Sequence, residues 1–314
     1  MFDESTSAEA MAMTAEKVRQ VCMNSGFFFL KPPTNVQQLM AKLMDAVRHF
    51  FALPLHEKQK LNNDETTWFR VGKTKIPGTG PGYRGFGSDP NFKQDSRESY
   101  NFGDDSVLHN KWPAVDKFPV EQIMYFKEYA RSLLDTSVIL RRLVALALRQ
   151  DMEIFDRLGY FDVPFWLLGM VHYSRELSDP EAGLYSIRPH CDSGMFTLLV
   201  TDGQPGLQIC PDKSKPPESR EWIDVSPAPQ GHFTVNLGKI LERLSNGIFT
   251  ATMHRVVNKT GNERFSSPFF YDTNIDTVLA PFPECCIDIP AQYSPTTPAK
   301  LSLQRLNATN KQFE

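Results

Sequence analysis

The chain is poor in the features that assign many proteins at a glance. Its five cysteines, Cys22, Cys191, Cys210, Cys285 and Cys286, are odd in number and show no CxxC spacing. That argues for reduced thiols in a cytoplasmic setting, not a disulfide frame or a zinc site. Long apolar runs are missing: stretches such as Gly26 to Leu30 and Trp166 to Met170 are far too short to span a bilayer. No basic segment followed by an apolar core opens the chain, so no secretory signal is read there. There is no Lys/Arg-rich tract, and a net charge of −3 offers no field for a polyanion; nucleic acid is not an expected partner. The glycine-rich stretch from Lys73 to Pro90 lacks the GxxxxGK[ST] pattern and is not a phosphate cradle. Internal repeats and low-complexity segments are also lacking.

What is present is an ordinary globular composition with an uneven texture. Hydrophobic residues at 41% over 314 positions can bury one substantial core. Val18, Val21 and Cys22 recur at helical spacing from Ala15 to Ser25, and Gly26 suits a helix terminator. Phe27 to Leu30 reads as a buried strand. Val36, Leu39, Met40, Leu43, Met44, Val47, Phe50 and Phe51 form the apolar stripe of a second helix, which Thr34 or Asn35 can cap and Pro54 stops. A short polar helix through Leu61 follows. From Asn62 to Phe118 there is little periodicity until a strand near Asp95 to Gly103. Pro119 then starts a long helix, interrupted or not, to about Gln150.

After Pro164 short strands alternate with turns. They are expected at 166–174, 184–190, 195–201, 207–210, 221–225, 232–237, 253–258 and 266–272. Eight such strands predict a mainly β fold with flanking α: a double-stranded β-helix, the jelly-roll plan of cupins, packed against N-terminal helices. The expected organisation is one integrated domain. Residues 1–118 form a helical and loop region with part of the substrate entrance, 119–290 the long helix and catalytic core, and 291–314 a segment covering the active site.

The chemistry centres on Arg188-Pro189-His190-Cys191-Asp192. His190 and Asp192, two apart on a strand, present an imidazole and a carboxylate to one face. His254 follows 254 − 192 = 62 residues later, and Arg264-Phe265-Ser266 ten residues beyond it. Each piece alone is commonplace: a His-x-Asp rarely binds metal, and Arg-x-Ser is usually surface polarity. Order, spacing and strand context together give two histidines and one carboxylate with positions left open, the facial triad of non-haem Fe(II) oxygenases.

At this point the chain resembles the isopenicillin N synthase-like branch of the Fe(II)- and 2-oxoglutarate-dependent dioxygenases. The likeness runs through Asn24 to Phe29, Phe50 to Lys58, Gly82-Tyr83, Asp95 to Glu98, His172-Tyr173, His190-Cys191-Asp192, Pro205 to Gln208, Leu244 to Gly247, His254 to Val256 and Arg264 to Ser266. It implies that His190, Asp192 and His254 are the catalytic iron ligands. Arg264 and Ser266 would grip the distal carboxylate of 2-oxoglutarate, with Tyr173 a further partner of the co-substrate. The implied reaction oxidises an unactivated C–H bond of a small organic substrate, by hydroxylation, desaturation or ring closure, and releases succinate and CO2. O2 is the oxidant, ascorbate is expected to help in vitro, and the breadth of the family points to specialised metabolism. No protein or membrane partner is expected.

Two other readings stand beside it: an oxidase of the same fold that uses no 2-oxoglutarate, and a non-catalytic small-molecule-binding jelly roll. Some positions depart from the family pattern. Its usual opening strand of the Pro-x-Ile-Asp type is not found before Ala15, which reads as a truncation or a loss. Lys239 stands where the family commonly has Asp, and Lys31-Pro32-Pro33 replaces Asn-His-Gly. Arg188, on the strand of His190, is a candidate partner for a substrate carboxylate, weighed against a structural salt bridge. His172 and His232 are expected to be structural.

Overall fold

The computed structural model describes residues 8–67, 69–71, 74–76, 80–87 and 95–310. Parts of the expected entrance loop and both extreme ends lie outside them. The chain opens with α1 (Ala8–Asn24), β1 (Phe27–Leu30), α2 (Thr34–Phe51) and α3 (Leu55–Gln59). Four short strands follow, β2 (Phe69–Val71), β3 (Thr74–Ile76), β4 (Gly82–Arg84) and β5 (Arg97–Gly103), then α4 (Val120–Ala147) and α5 (Ile154–Arg157). The second half supplies β6 (Trp166–Tyr173), β7 (Ile187–His190), β8 (Phe196–Thr201), β9 (Leu207–Cys210), β10 (Ile223–Asp224) and β11 (Phe233–Leu237). It ends with α6 (Lys239–Leu244), β12 (Met253–Val256), β13 (Arg264–Tyr271) and α7 (Pro298–Asn310).

The strands form a seven-stranded sheet in the order β1-β11-β8-β13-β6-β5-β4, a four-stranded sheet in the order β10-β9-β12-β7, and the separate pair β2-β3. Every pairing within these sheets is antiparallel. This is the jelly-roll core with flanking helices. Three strands from the N-terminal region, β1, β4 and β5, extend the larger sheet, so the helical region and the core share one hydrogen-bonded layer.

Period-two alternation divides the larger sheet into two faces. Leu168, Met170, Phe196, Leu198, Val235, Leu237, Phe269 and Tyr271 pack with α2 and α4 residues such as Val47, Phe50, Phe126 and Leu133 in the main core. The intervening positions face the smaller sheet. Val171 and Tyr173 meet Leu207 and Val256 there in a second, smaller cluster against which Phe27 and Leu199 also pack, and Thr197, Asn236, Arg264 and Ser266 share that face. The alternation therefore puts the main core under the helices and sets polar side chains beside a smaller apolar cluster between the sheets.

Several expectations need correction. The first helix begins at Ala8, a full two turns before Ala15. Its end is as expected: Gly26 adopts φ +60° and its N–H donates to Val21 O at 2.9 Å, and a Cβ there would lie 2.4 Å from Thr250 O. Thr34 is the first helical residue of α2, not its cap; Pro33 takes that place and no side chain caps the helix. The long helix is uninterrupted over 28 residues. Strand β7 begins at Ile187 instead of Leu184, whose pairing is an isolated bridge to Asp179. The stretch from Asn62, read as aperiodic, contains β2, β3 and β4. These strands are three residues each, too short for a period to show.

Candidate metal and co-substrate site

His190 closes β7 and His254 lies on β12, and the register of the smaller sheet sets the two directly opposite each other. Their rings are 4.3 Å apart between centroids. Asp192 follows β7 by two residues. Its Oδ1 lies 3.7 Å from His190 Nε2 and 3.8 Å from His254 Nε2. This is the one potential metal-binding group of His, Cys, Asp and Glu among the described residues, with its donor atoms within 4.8 Å of one another.

The atoms turned away from the centre are all engaged. His190 Nδ1 is 2.8 Å from Arg188 O and His254 Nδ1 is 3.1 Å from Thr252 O. A carbonyl can only accept, so both rings carry their proton on Nδ1 and leave the Nε2 lone pair facing inward. Asp192 Oδ2 accepts from Thr197 Oγ1 at 2.6 Å and from Asn236 Nδ2 at 2.7 Å. Thr197 and Asn236 are cross-strand partners on β8 and β11, so the larger sheet holds the carboxylate while the smaller one holds the imidazoles. Sequence reasoning passed over both; inward-facing polar residues on strands expected to be apolar were the available signal.

The loop carrying Asp192 is tied down by backbone. Lys239 N donates to Asp192 O at 2.9 Å, Ile240 N to Gly194 O at 3.1 Å and Gly238 N to Met195 O at 3.0 Å. A Cβ at Gly238 would sit 2.1 Å from Gly194 O, so only glycine allows the approach. Lys239 thus serves through its amide, and its side chain is exposed.

Protonation favours a metal. Burial, and then the charge of His254, lower the His190 pKa to about 4, against the pull of Asp192. The His190 side chain nevertheless remains 32% exposed. Burial opposes ionisation of Asp192, but the facing imidazoles and the bonds from Thr197 and Asn236 outweigh it and hold the carboxyl below its ordinary value.

Arg264 and Ser266 share the inner face of β13, 5% and 1% exposed. Tyr173, opposite Arg264 on β6, lies with its ring 4.8 Å under the guanidinium, and its hydroxyl is 3.1 Å from Ser266 Oγ. Arg264 Nε donates to Gln204 O at 3.3 Å, while Nη1 is buried without a hydrogen-bond partner among the described residues. An orphaned buried guanidinium nitrogen is costly, and a carboxylate is the group its fork fits.

The remaining candidates fall elsewhere. Arg188 Nε lies 3.3 Å from Asp95 Oδ1, the salt bridge weighed against a substrate contact. His172 Nδ1 pairs with Glu98 at 2.8 Å and its ring stacks on Phe265; His232 Nδ1 meets Gln230 O at 3.1 Å. All five cysteines are free.

Comparison with known proteins agrees with this geometry. Residues 167–273 match the family model of the 2OG-Fe(II) oxygenase superfamily, and residues 2–118 that of the non-haem dioxygenase in morphine synthesis N-terminal region. A 2-oxoglutarate-Fe(II) type oxidoreductase of Emericella nidulans is 30% identical over 298 residues, 90% of this chain and 80% of that protein. Kihadalactone A synthase of Citrus sinensis is 32% identical over 279 residues, 87% of this chain and 80% of that protein. In fold, the crystal structure of a full-length Neurospora crassa protein in complex with alpha-KG and 5-formyluracil is similar at TM-score 0.78 and 24% identity, covering 97% of this chain and 93% of that one.

Proposed function

Since the chain belongs to the 2-oxoglutarate–Fe(II) oxygenase superfamily, we propose that His190, Asp192 and His254 are its iron ligands and that Arg264, Ser266 and Tyr173 bind its co-substrate. The protein is a 2-oxoglutarate-dependent dioxygenase that takes Fe(II), 2-oxoglutarate and O2 and acts on a small organic molecule. The observation that carries the residue assignment is the convergence of two Nε2 atoms and Asp192 Oδ1, with every outward-facing atom of the three side chains already bonded.

Bound there, Fe(II), 2-oxoglutarate and O2 would supply the oxidising power for an unactivated C–H bond, with succinate and CO2 as the co-products. The chain's own residues orient and protect. The Nδ1 donations fix which lone pair each imidazole offers, and Thr197 and Asn236 leave only Oδ1 for coordination. Three protein ligands from one side would leave positions open for the 2-oxo acid and O2. Arg264 gives a dicarboxylate a charge-assisted fork worth ~1.5–3 kcal/mol over a monocarboxylate, while Tyr173 backs the guanidinium and Ser266 adds a hydroxyl.

A cytoplasmic location is supported by the five unpaired cysteines. Among the described residues no helix is long and apolar enough to cross a membrane. The deciding experiment is a substrate screen that reads succinate release with Fe(II), ascorbate and 2-oxoglutarate supplied. Stimulated release that disappears in His190→Ala supports the assignment; release unchanged by His190→Ala refutes it.

A further inference from the structure

The polar face of the larger sheet carries a cation that the chemistry above does not use. Arg97, at the start of β5, stands directly opposite Tyr173 of β6, which stands opposite Arg264 of β13. Directly opposed residues of antiparallel strands project to the same side. Arg97, Tyr173 and Arg264 therefore form one transverse row on the inner face. The next row, Glu98, His172 and Phe265, makes its own contacts on the outer side, Glu98 with His172 at 2.8 Å and His172 stacked on Phe265, which fixes the alternation independently.

Asp95, two residues before Arg97 and 4% exposed, holds this cation in place. Its carboxylate lies 3.7 Å from Arg97 Nε and 3.3 Å from Arg188 Nε. One acid thus stands between two guanidiniums, one from each sheet. Among the described residues the one polar contact of the Arg97 side chain is that ion pair, longer than a hydrogen bond, and the side chain is 25% exposed. Two strand spacings separate Arg97 from Arg264, roughly 10 Å of backbone. That is room for a second anionic group beyond the one Arg264 serves.

We propose that Arg97, aligned by Asp95 and backed by Arg188, binds an anionic group of the substrate, so that the molecule oxidised is an organic acid with its carboxylate on the β5 side of the pocket. This deepens the assignment of the metal and co-substrate site and rests on it. A guanidinium fork matches a planar oxyanion in shape as well as charge, and a substrate bound through it approaches the metal from the side away from Arg264.

The test uses protein loaded with Mn(II) and saturated with 2-oxoglutarate, titrated calorimetrically with matched acids and amides: phenylacetate and phenylacetamide, 2-naphthoate and 2-naphthamide, octanoate and octanamide. At least one acid is expected to bind roughly tenfold or more tightly than its amide. Arg97→Gln removes that preference and Arg97→Lys keeps part of it, with 2-oxoglutarate affinity unchanged in both. Arg188→Gln reduces the preference by less. No acid preferred over its amide in any pair overturns the proposal, as does loss of 2-oxoglutarate affinity in Arg97→Gln, which would put Arg97 in the co-substrate pocket. Mn(II) and 2-oxoglutarate binding are read first on the same wild-type sample, and their failure would instead overturn the site assignment.

Discussion

Asn236 donates its side-chain amide to Asp192 from 2.7 Å, joining the far part of β11 to a proposed ligand that follows β7. With Thr197 it saturates Oδ2 and so decides which oxygen the carboxylate offers. Outer partners of this kind are typically worth about 10–100-fold in metal affinity. Thr197→Val and Asn236→Ala are each expected to weaken Mn(II) binding by roughly that factor, with 2-oxoglutarate affinity measured at saturating metal unchanged. Calorimetric titration of each variant checks this; wild-type metal affinity in both would show that the carboxylate needs no outer support.

Arg264→Gln should raise the dissociation constant for 2-oxoglutarate about 10–100-fold, the equivalent of one charge-assisted hydrogen bond lost. It should also erase the preference for 2-oxoglutarate over 2-oxobutyrate, which lacks the distal carboxylate. Competition binding to the metal-loaded protein measures both. A variant that still discriminates between the two keto acids would place the distal carboxylate elsewhere.

His190 is pushed down to about 4 by burial and by His254, so its folded-state pKa lies below the ~6.5 of an unfolded chain. Between those values the unfolded state binds more protons. Apo-protein stability should therefore rise with pH through that window and fall on acidification. Denaturant unfolding of the apo-protein and of His190→Asn between about pH 4 and 7 checks this; equal slopes in the two would mean an ordinary imidazole at position 190.

Glu98 lies buried among Lys58 Nζ at 2.8 Å, Tyr83 OH at 2.5 Å and His172 Nδ1 at 2.8 Å. Lys58→Met leaves the acid short of its cation and should cost ~3–5 kcal/mol, seen as a fall in Tm of several degrees. Adding Glu98→Gln should restore part of the loss. A double variant no better than the single would show that Lys58 contributes packing, not charge.

Much of the site was legible because its residues announce themselves by type. His190, Asp192 and His254 belong to few chemistries, and the strands bearing them follow from period two; Arg264-x-Ser266 follows from the same alternation. Asn236 and Thr197 were missed because each sits in a strand whose apolar neighbours dominate the pattern, and their roles exist only where β8 and β11 pair. Arg97 stayed hidden for a related reason: its importance comes from standing across from Tyr173. Arg188 shows the converse, a residue noticed for its place beside His190 whose observed partner, Asp95, comes from a distant part of the chain. Short elements such as β2 to β4 carry too few residues for any period to register.

The division of the larger sheet has an evolutionary side. Stability is invested in the side chains pressed against α2 and α4, while reactivity is mounted on their immediate neighbours pointing the other way. Replacing an inward residue such as Arg97 on β5 therefore leaves the joint between sheet and helices closed. A scaffold wired in this manner can be handed new molecules to oxidise one position at a time.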